Sequence, residues 1–480
     1  MKITIAQLNP TVGALDKNFE KIKQALLKAQ NDGSTKLVLA DRETILTGYP
    51  TQNLSGNQDF QRQLTYYQEQ LDVLVEKTGV EIVDAAMEDN RSIYFQTEKS
   101  PFYVGKENAP ISNSIYMNLV GAQGEVVFDG GAYITGYDQK VIAKLPKFVE
   151  AVETIDSDGE NMMAPDMTQE DETYNAMMLG LRDYAEKNGM QKVLLGLSGG
   201  IDSAIVATIA ADALGAENVN AISLPSRYTS DLSNDSASDL AKRQGLNYQV
   251  VPVETAVAAL NDSVADIFDG AEPNVAEENI QARIRGNIIM AIANKFNYLV
   301  LNTGNASEDL CGYFTIDGGD DIGGYNPVKD LFKTDIRAIA KWRNANIPTN
   351  AKVAKLDVIP VEIIERAPSA ELSEGQEDTD NLPDYEVLDP ILKELLEGSA
   401  IKDIVDKGFK QNDVETAFEL MRKTQFKREK VAPGVALYQS TVEGTLEKLV
   451  ADKSTLPLTN GFTAKLACQT KKELESINYG

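Results

Sequence analysis

The chain has 480 residues, 73 acidic against 46 basic, a formal net charge of −27 and no histidine. That charge disfavours nucleic acid and anionic membranes as partners, because phosphate binding needs clustered Lys and Arg. The missing histidine leaves carboxylates, Lys, Ser, Thr or a bound metal to carry any chemistry.

Hydrophobic content of 42% and only two cysteines, Cys311 and Cys468, fit two or three globular domains in a reducing cytoplasm, without a disulfide scaffold. No apolar run reaches the about 18 residues of a membrane span. Met1-Lys2-Ile3-Thr4-Ile5-Ala6 is too short and too polar-interrupted for a signal peptide.

In chain order, residues 2–8 (KITIAQL) alternate as a strand does, Asn18–Asn31 has a helical period, and Lys36–Ala40 reads as a second strand. Glu43 follows that strand, where α/β layer folds place functional side chains; a solvated loop Glu is the plainer reading. Residues 156–168 are polar and turn-rich and read as a linker. Glu170–Glu186 has a helical period and leads into Val193-Leu194-Leu195-Gly196-Leu197-Ser198-Gly199-Gly200-Ile201-Asp202-Ser203. This is a buried strand, a glycine turn and a helix start, so backbone N–H groups and the helix dipole converge on one anion site. Gly199 and Gly200 admit a phosphate without a Cβ clash, and Ser198 and Ser203 add hydroxyls. No Lys follows, so this is not the GxxxxGK[ST] loop. Asp202 would repel phosphate unless a cation such as Mg²⁺ lies between them.

Further strands follow at Val219–Leu224, Tyr248–Val253 and Tyr298–Leu301, with helices at Asp231–Gln244 and Asn279–Phe296. The alternation predicts βαβ units and a parallel sheet, with ligand at the strands' carboxyl ends. Thr303 and Glu308 follow a strand; Glu308 is either a second Mg²⁺ ligand or a helix N-terminal Glu. Residues 317–324 (DGGDDIGG) read as a loop, facing ligand or merely flexible. Lys333 opens a helix and is placed to neutralise phosphate charge.

Two resemblances add to this reading. MKITIAQLNPTVG, ETILTGYP, SPFYVGK, Met117–Gly121 and Val127–Gly131 look like a nitrilase-type glutamine amidotransferase domain. That family hydrolyses glutamine with a Glu, a Lys and a Cys nucleophile. Glu43 matches the Glu, but the segments that carry the Lys and the Cys have no counterpart, and no cysteine precedes Cys311. The resemblance implies a shortened nitrilase-like domain over 1–155, with Glu43 vestigial, structural or oligomer-forming in role, and without glutaminase activity.

SGGIDSA resembles the pyrophosphatase-type loop of enzymes that adenylate a carbonyl oxygen. SLPSRYTS, EENIQARIRG, AIAKWRN, RAPSAEL, DTDNLPDYEVLDPIL and FKREKVAPGV are similar to the synthetase domain of the glutamine-dependent NAD synthetase family. The implied fold is α/β: an adenine-nucleotide α-hydrolase-like parallel-sheet domain over 169–480, preceded by the truncated nitrilase-like domain. The implied reaction adenylates deamido-NAD with ATP and amidates it with ammonia, giving NAD, AMP and pyrophosphate.

By the same resemblance, Gly196, Leu197, Ser198, Gly199, Gly200, Ile201, Asp202, Ser203, Thr303, Lys333 and Ser369 face ATP, with Asp202 and Lys333 catalytic. Asp202 and Glu308 hold Mg²⁺, and Asn279, Arg283, Glu308, Asp320 and Lys427 contact the dinucleotide. In the family that ligand lies across a dimer interface, so a homodimer or higher homo-oligomer is implied, with Asn279 or Arg283 serving the neighbouring subunit. Ala306 departs from the family, which usually has Lys there. Two alternatives stand beside this reading: a non-catalytic dinucleotide-binding homologue, and an enzyme fed by a partner's glutaminase. Residues 368–385 read as a lid that keeps water from an acyl-adenylate.

Overall fold

The computed structural model describes residues 2–83, 94–107, 109–156, 159–319, 321–369, 371–428 and 430–451. Asp320 and Cys468 lie outside the described residues. By compactness the chain divides between Glu172 and Thr173, and again between Ser440 and Thr441.

In the first unit, a four-stranded sheet runs in the order Ala151–Asp156, Lys2–Gln7, Lys36–Val38, Glu81–Val83. The outer pair is antiparallel, with Ile3 opposite Ile155, and the others are parallel. A second four-stranded sheet orders Tyr94–Glu98, Ser114–Asn118, Tyr133–Thr135 and Val141–Lys144. The core joins both sheets to the helices Leu15–Asn31 and Gln58–Thr78 through Ile5, Leu37, Ile22, Leu26, Leu71, Met117 and Phe128.

The family-like text of this unit is explained by packing. Lys106 of SPFYVGK and Asp129 of VFDGG are buried together, 3.8 Å apart, with side chains 6% and 2% exposed. Lys147 lies 3.2 Å from Asp129 and 2.7 Å from Glu172, and Asn118 donates to Asp129 at 3.0 Å. Burial holds Lys106 below its ordinary pKa against the pull of Asp129. Gly131, at φ +68°, is required because a Cβ there would lie 2.9 Å from Lys147 Cγ.

In the second unit, Thr173–Ser440, four parallel strands take the order Asn247–Val250, Val219–Ser223, Val193–Gly196, Leu299–Val300. The crossovers are the helices Ile201–Leu214, Asp231–Gln244, and the pair Glu254–Phe268 and Val275–Phe296. Strand order reverses between Val193–Gly196 and Leu299–Val300, so a crevice opens at the carboxyl ends of these two strands. The α/β class expected from the sequence is the one observed.

The helix Asp231–Gln244 has the expected ends because Ser230 caps it and Gly245 closes it in the left-handed conformation. The long helix starts at Val275 rather than Asn279, because Asn274 and Glu277 form a capping box. Helix Glu254–Phe268, which the periodicity did not mark, follows Val253 directly.

Arg343 ties this unit together from within. Its guanidinium holds Asp212 at 2.7 Å (Nε) and 3.0 Å (Nη2), both residues fully buried, and Tyr174 donates to the same carboxylate at 2.6 Å. Its other N–H groups reach the carbonyls of Asn346, Val353 and Lys355, pinning the loop after its own helix. Arg343→Met should leave the Asp212 charge buried with no cation and only the Tyr174 hydroxyl as side-chain partner, and cost about 3–5 kcal/mol. Trp342, the single tryptophan, packs on Tyr174 at 5.5 Å and reports this unit in a denaturant titration. A loss below about 1 kcal/mol would show the pair to be dispensable.

Candidate functional site

The phosphate-loop candidate folds as its residue types require. Gly200 starts the helix Ile201–Leu214 without any side-chain cap, which leaves the helix start to a ligand. Ser198 and Ser203 brace the turn from inside: their hydroxyls are 3.1 Å apart, Ser198 N–H donates to Ser203 Oγ at 3.2 Å, and Gly200 N–H donates to Ser198 Oγ at 3.2 Å. Gly199 has φ +86°, and a Cβ there would sit 2.2 Å from the carbonyl oxygen of Ser233. Both conformation and approach therefore demand glycine.

Beside this loop three charged side chains meet. Lys333 Nζ lies 2.7 Å from Asp202 Oδ2 and 2.6 Å from Glu308 Oε1, with the Lys side chain 1% exposed. Asp202 comes from the loop helix, Glu308 from the helix Ala306–Cys311 after the fourth strand, and Lys333 from the first turn of Lys333–Ala345. Asn305 caps the middle helix through Glu308 N–H at 3.1 Å and donates to Asp202 Oδ1 at 3.0 Å. Burial opposes the charge on Lys333, but the two carboxylates outweigh it and hold its pKa up. Burial raises Glu308, reinforced by the like charge of Asp202 and resisted by Lys333.

Two carboxylates converging on one ammonium make a position built for positive charge. Among the described residues no group of three or more metal-ligating side chains occurs, so a divalent cation here would draw its other ligands from phosphate oxygens and water. That donor set suits Mg²⁺ better than a metal needing a full protein cage.

The triad borders a cavity of about 910 Å³ at the strand ends, large enough for a nucleotide. Gly196, Leu197, Ser198, Gly200, Ile201, Asp202, Ser203, Asn279, Thr303, Glu308, Lys333, Ser369 and Lys427 line it. Asn279 accepts from Thr315 Oγ1 at 2.6 Å, and Lys427 donates to the carbonyls of Gly312 and Phe314, each at 2.7 Å. Gly199 shapes the wall without lining it. Arg283 is exposed, outside the lining, and donates to Ile316 O at 3.3 Å.

Glu43 is a correction: it sits exposed in the first turn of the helix Arg42–Thr47, not at a strand end. Asp41 caps that helix, accepting from Thr44 N–H at 3.0 Å, so the chain turns helical sooner than its pattern implied.

Residue typing missed several supports of the site. Asp389, fully buried on the helix Tyr385–Leu396, accepts from Thr334 N–H and Oγ1, both at 2.8 Å, and from Ser307 Oγ at 2.6 Å. Ser307 Oγ in turn accepts the Lys333 N–H at 2.9 Å. Asp378 is buried on the cavity wall, accepts from Tyr385 OH at 2.9 Å, and is raised in pKa by burial. The text DTDNLPDYEVLDPIL contains Asp378, Tyr385 and Asp389, but nothing in its spacing assigns them partners.

Comparison with known proteins supplies the family. Residues 173–431 match the family model described as NAD synthase. The glutamine-dependent NAD(+) synthetase of Rhodobacter capsulatus is 47% identical over 67% of this chain and 60% of its own. That of Xanthomonas campestris is 40% identical over 73% of this chain and 62% of its own; the chain thus spans about three fifths of the length of both relatives. The enzyme of the same name from Thermotoga maritima is 31% identical over 91% of this chain and 96% of its own.

Among solved structures, glutamine-dependent NAD+ synthetase from Acinetobacter baumannii in complex with ADP aligns with a TM-score of 0.68 at 27% identity, over 91% of this chain and 96% of that one. The Thermotoga alignment runs over 565 positions, more than this chain's 480 residues, so it opens gaps here. These relatives overturn the expectation that glutaminase activity is absent, since those matched over nearly their whole length are named glutamine-dependent. That expectation rested on the Lys and Cys segments that have no counterpart here, and it does not hold against relatives of that name matched over nearly their whole length. Site, fold and whole-length similarity together make the chain a member of the glutamine-dependent NAD(+) synthetase family.

Proposed function

We propose that this chain is an ATP-dependent amide ligase that converts deamido-NAD to NAD. The observation that supports it most is the Asp202–Glu308–Lys333 centre beside an uncapped helix start, at the edge of one nucleotide-sized cavity.

The backbone of Gly196–Ser203 and the helix dipole receive the triphosphate, with Thr303 and Ser369 on the same wall. Lys333 holds positive charge next to the phosphates, where charge develops as pyrophosphate leaves. Asp202 and Glu308 would hold Mg²⁺, which supplies charge neutralisation between carboxylates and phosphates. Asn279, Glu308 and Lys427 orient the dinucleotide, joined from its sequence position alone by Asp320. Arg283, outside its own chain's cavity, is proposed to serve a second copy in a homodimer or higher oligomer; light scattering that finds only monomer at micromolar concentration would remove that role.

In the first step an oxygen of the substrate carboxylate attacks the α-phosphorus and pyrophosphate leaves. Ammonia then attacks the acyl carbon, AMP departs, and one proton is released. Glutamine, the donor in the relatives' name, is the proposed source of that ammonia, with free ammonium able to replace it at this site.

The test is purified protein with ATP, Mg²⁺ and deamido-NAD, following NAD and AMP. Ammonium should give NAD and AMP in equal amounts, faster from neutral to mildly alkaline pH as free ammonia increases. No NAD under these conditions would sink the reading. Glutamate release from added glutamine assigns the glutaminase to this chain; its absence assigns the step to a partner.

Asp202→Asn should lower turnover about 10²-fold or more with an unchanged far-UV spectrum, because a charged ligand of the phosphate site is lost. A near-normal rate at limiting Mg²⁺ would exclude the role given to Asp202.

A further inference from the structure

The phosphate loop carries no Lys, and Asp202 adds negative charge to it. Lys333 is matched by two carboxylates. A cation aimed at the outer phosphates, where charge grows as pyrophosphate leaves, would add to what Lys333 and a bound Mg²⁺ supply.

A guanidinium stands at this point. Arg366 follows the short helix Val361–Glu365 and opens the segment RAPSAEL across the loop. It lines the cavity, and it donates to the carbonyl of Gly199 at 3.4 Å (Nη2) and to Ser233 Oγ at 2.9 Å (Nη1). An Arg has five N–H donors and these contacts use two. Its planar fork suits two phosphate oxygens at once, as a Lys does not.

The segment is fastened five residues on. Ser230 and Ser233 hydroxyls donate to Glu371 Oε1 at 2.8 and 2.9 Å, and Ser230 N–H donates to Oε2 at 3.3 Å. Glu371 holds a left-handed φ of +49° to make these bonds, a conformation a non-glycine residue keeps only under constraint. Gln281 donates to Leu372 O at 2.9 Å and secures the far end. Ser233 is thus common to the three parts: its carbonyl abuts Gly199, and its hydroxyl touches both Arg366 and Glu371.

We propose that Arg366 binds the pyrophosphate half of ATP as it leaves, and that Glu371 is the latch positioning the strap that carries it. This rests on the ATP-dependent reading of the site. In the step concerned, the substrate carboxylate oxygen bonds to the α-phosphorus while the bond from that phosphorus to the bridging oxygen breaks. The electron pair stays on pyrophosphate, and no proton moves. Arg366 meets charge that grows on the departing group, and Glu371 acts only through Arg366.

Calorimetric titration of the full chain with MgATP, magnesium pyrophosphate and AMP separates the roles, because AMP lacks the two outer phosphates. Arg366→Ala should weaken ATP and pyrophosphate about tenfold or more and leave AMP within about twofold. Arg366→Lys should recover part of the loss. Glu371→Gln should weaken the same two ligands by a smaller factor. Unchanged Trp342 fluorescence checks that each variant folds. Equal losses for AMP, or no loss for pyrophosphate, would overturn the assignment while leaving the function intact. Wild-type protein that binds neither ATP nor pyrophosphate would remove both proposals.

Discussion

A buried ammonium with two carboxylates is the constraint around which the second unit is arranged. Lys333 cannot be kept from water uncompensated, and its partners come from the ends of different strand–helix units. The sheet order 3-2-1-4 in chain sequence brings those ends together, because the reversal point lies between the strands that precede Asp202 and Glu308. The triad sets two carboxyls, Glu308 raised by burial, against one ammonium, and Asp378 adds a further carboxyl on the same wall. Carboxylates beside a helix start are favourable in themselves, but a phosphate bound at that same start would meet their charge and so requires a cation to arrive with it.

Local signals in the sequence were strong where local physics decides the outcome. The run from Val193 to Ser203 is a strand, a turn and a helix because apolar, glycine and capping preferences change there within a few residues. Asp231–Gln244 was legible to the residue for the same reason. What stayed hidden depends on distant chain. Asp389 acts on Thr334 across 55 positions, and no periodicity encodes that pairing. The need for glycine at 199 looked like room for phosphate, yet it equally reflects the Ser233 carbonyl against the loop. Asn274-Val275-Ala276-Glu277 did carry a readable helix start, overlooked because apolar spacing begins later.

The first unit shows the opposite relation between text and role. Its family-like words, SPFYVGK and VFDGG, bring Lys106 and Asp129 into one buried charge set, and the two glycines of VFDGG fit crowded turns. Those residues carry packing. Glu43, singled out for chemistry, faces solvent. Resemblance thus identified the domain type from residues that pack.

Asp389 has a consequence for how the second unit can be divided. It performs for the helix Lys333–Ala345 the service that an N-cap residue performs locally, although Phe332 occupies the cap position and offers no acceptor. A fragment ending before Tyr385 would retain all four strands and the phosphate loop, yet Thr334 N–H and Oγ1 in the first turn of its Lys333 helix would lose their acceptor. The smallest autonomous module is therefore set by this remote cap rather than by the sheet. Any split or transplanted version of the unit has to carry the helix Tyr385–Leu396 with the sheet.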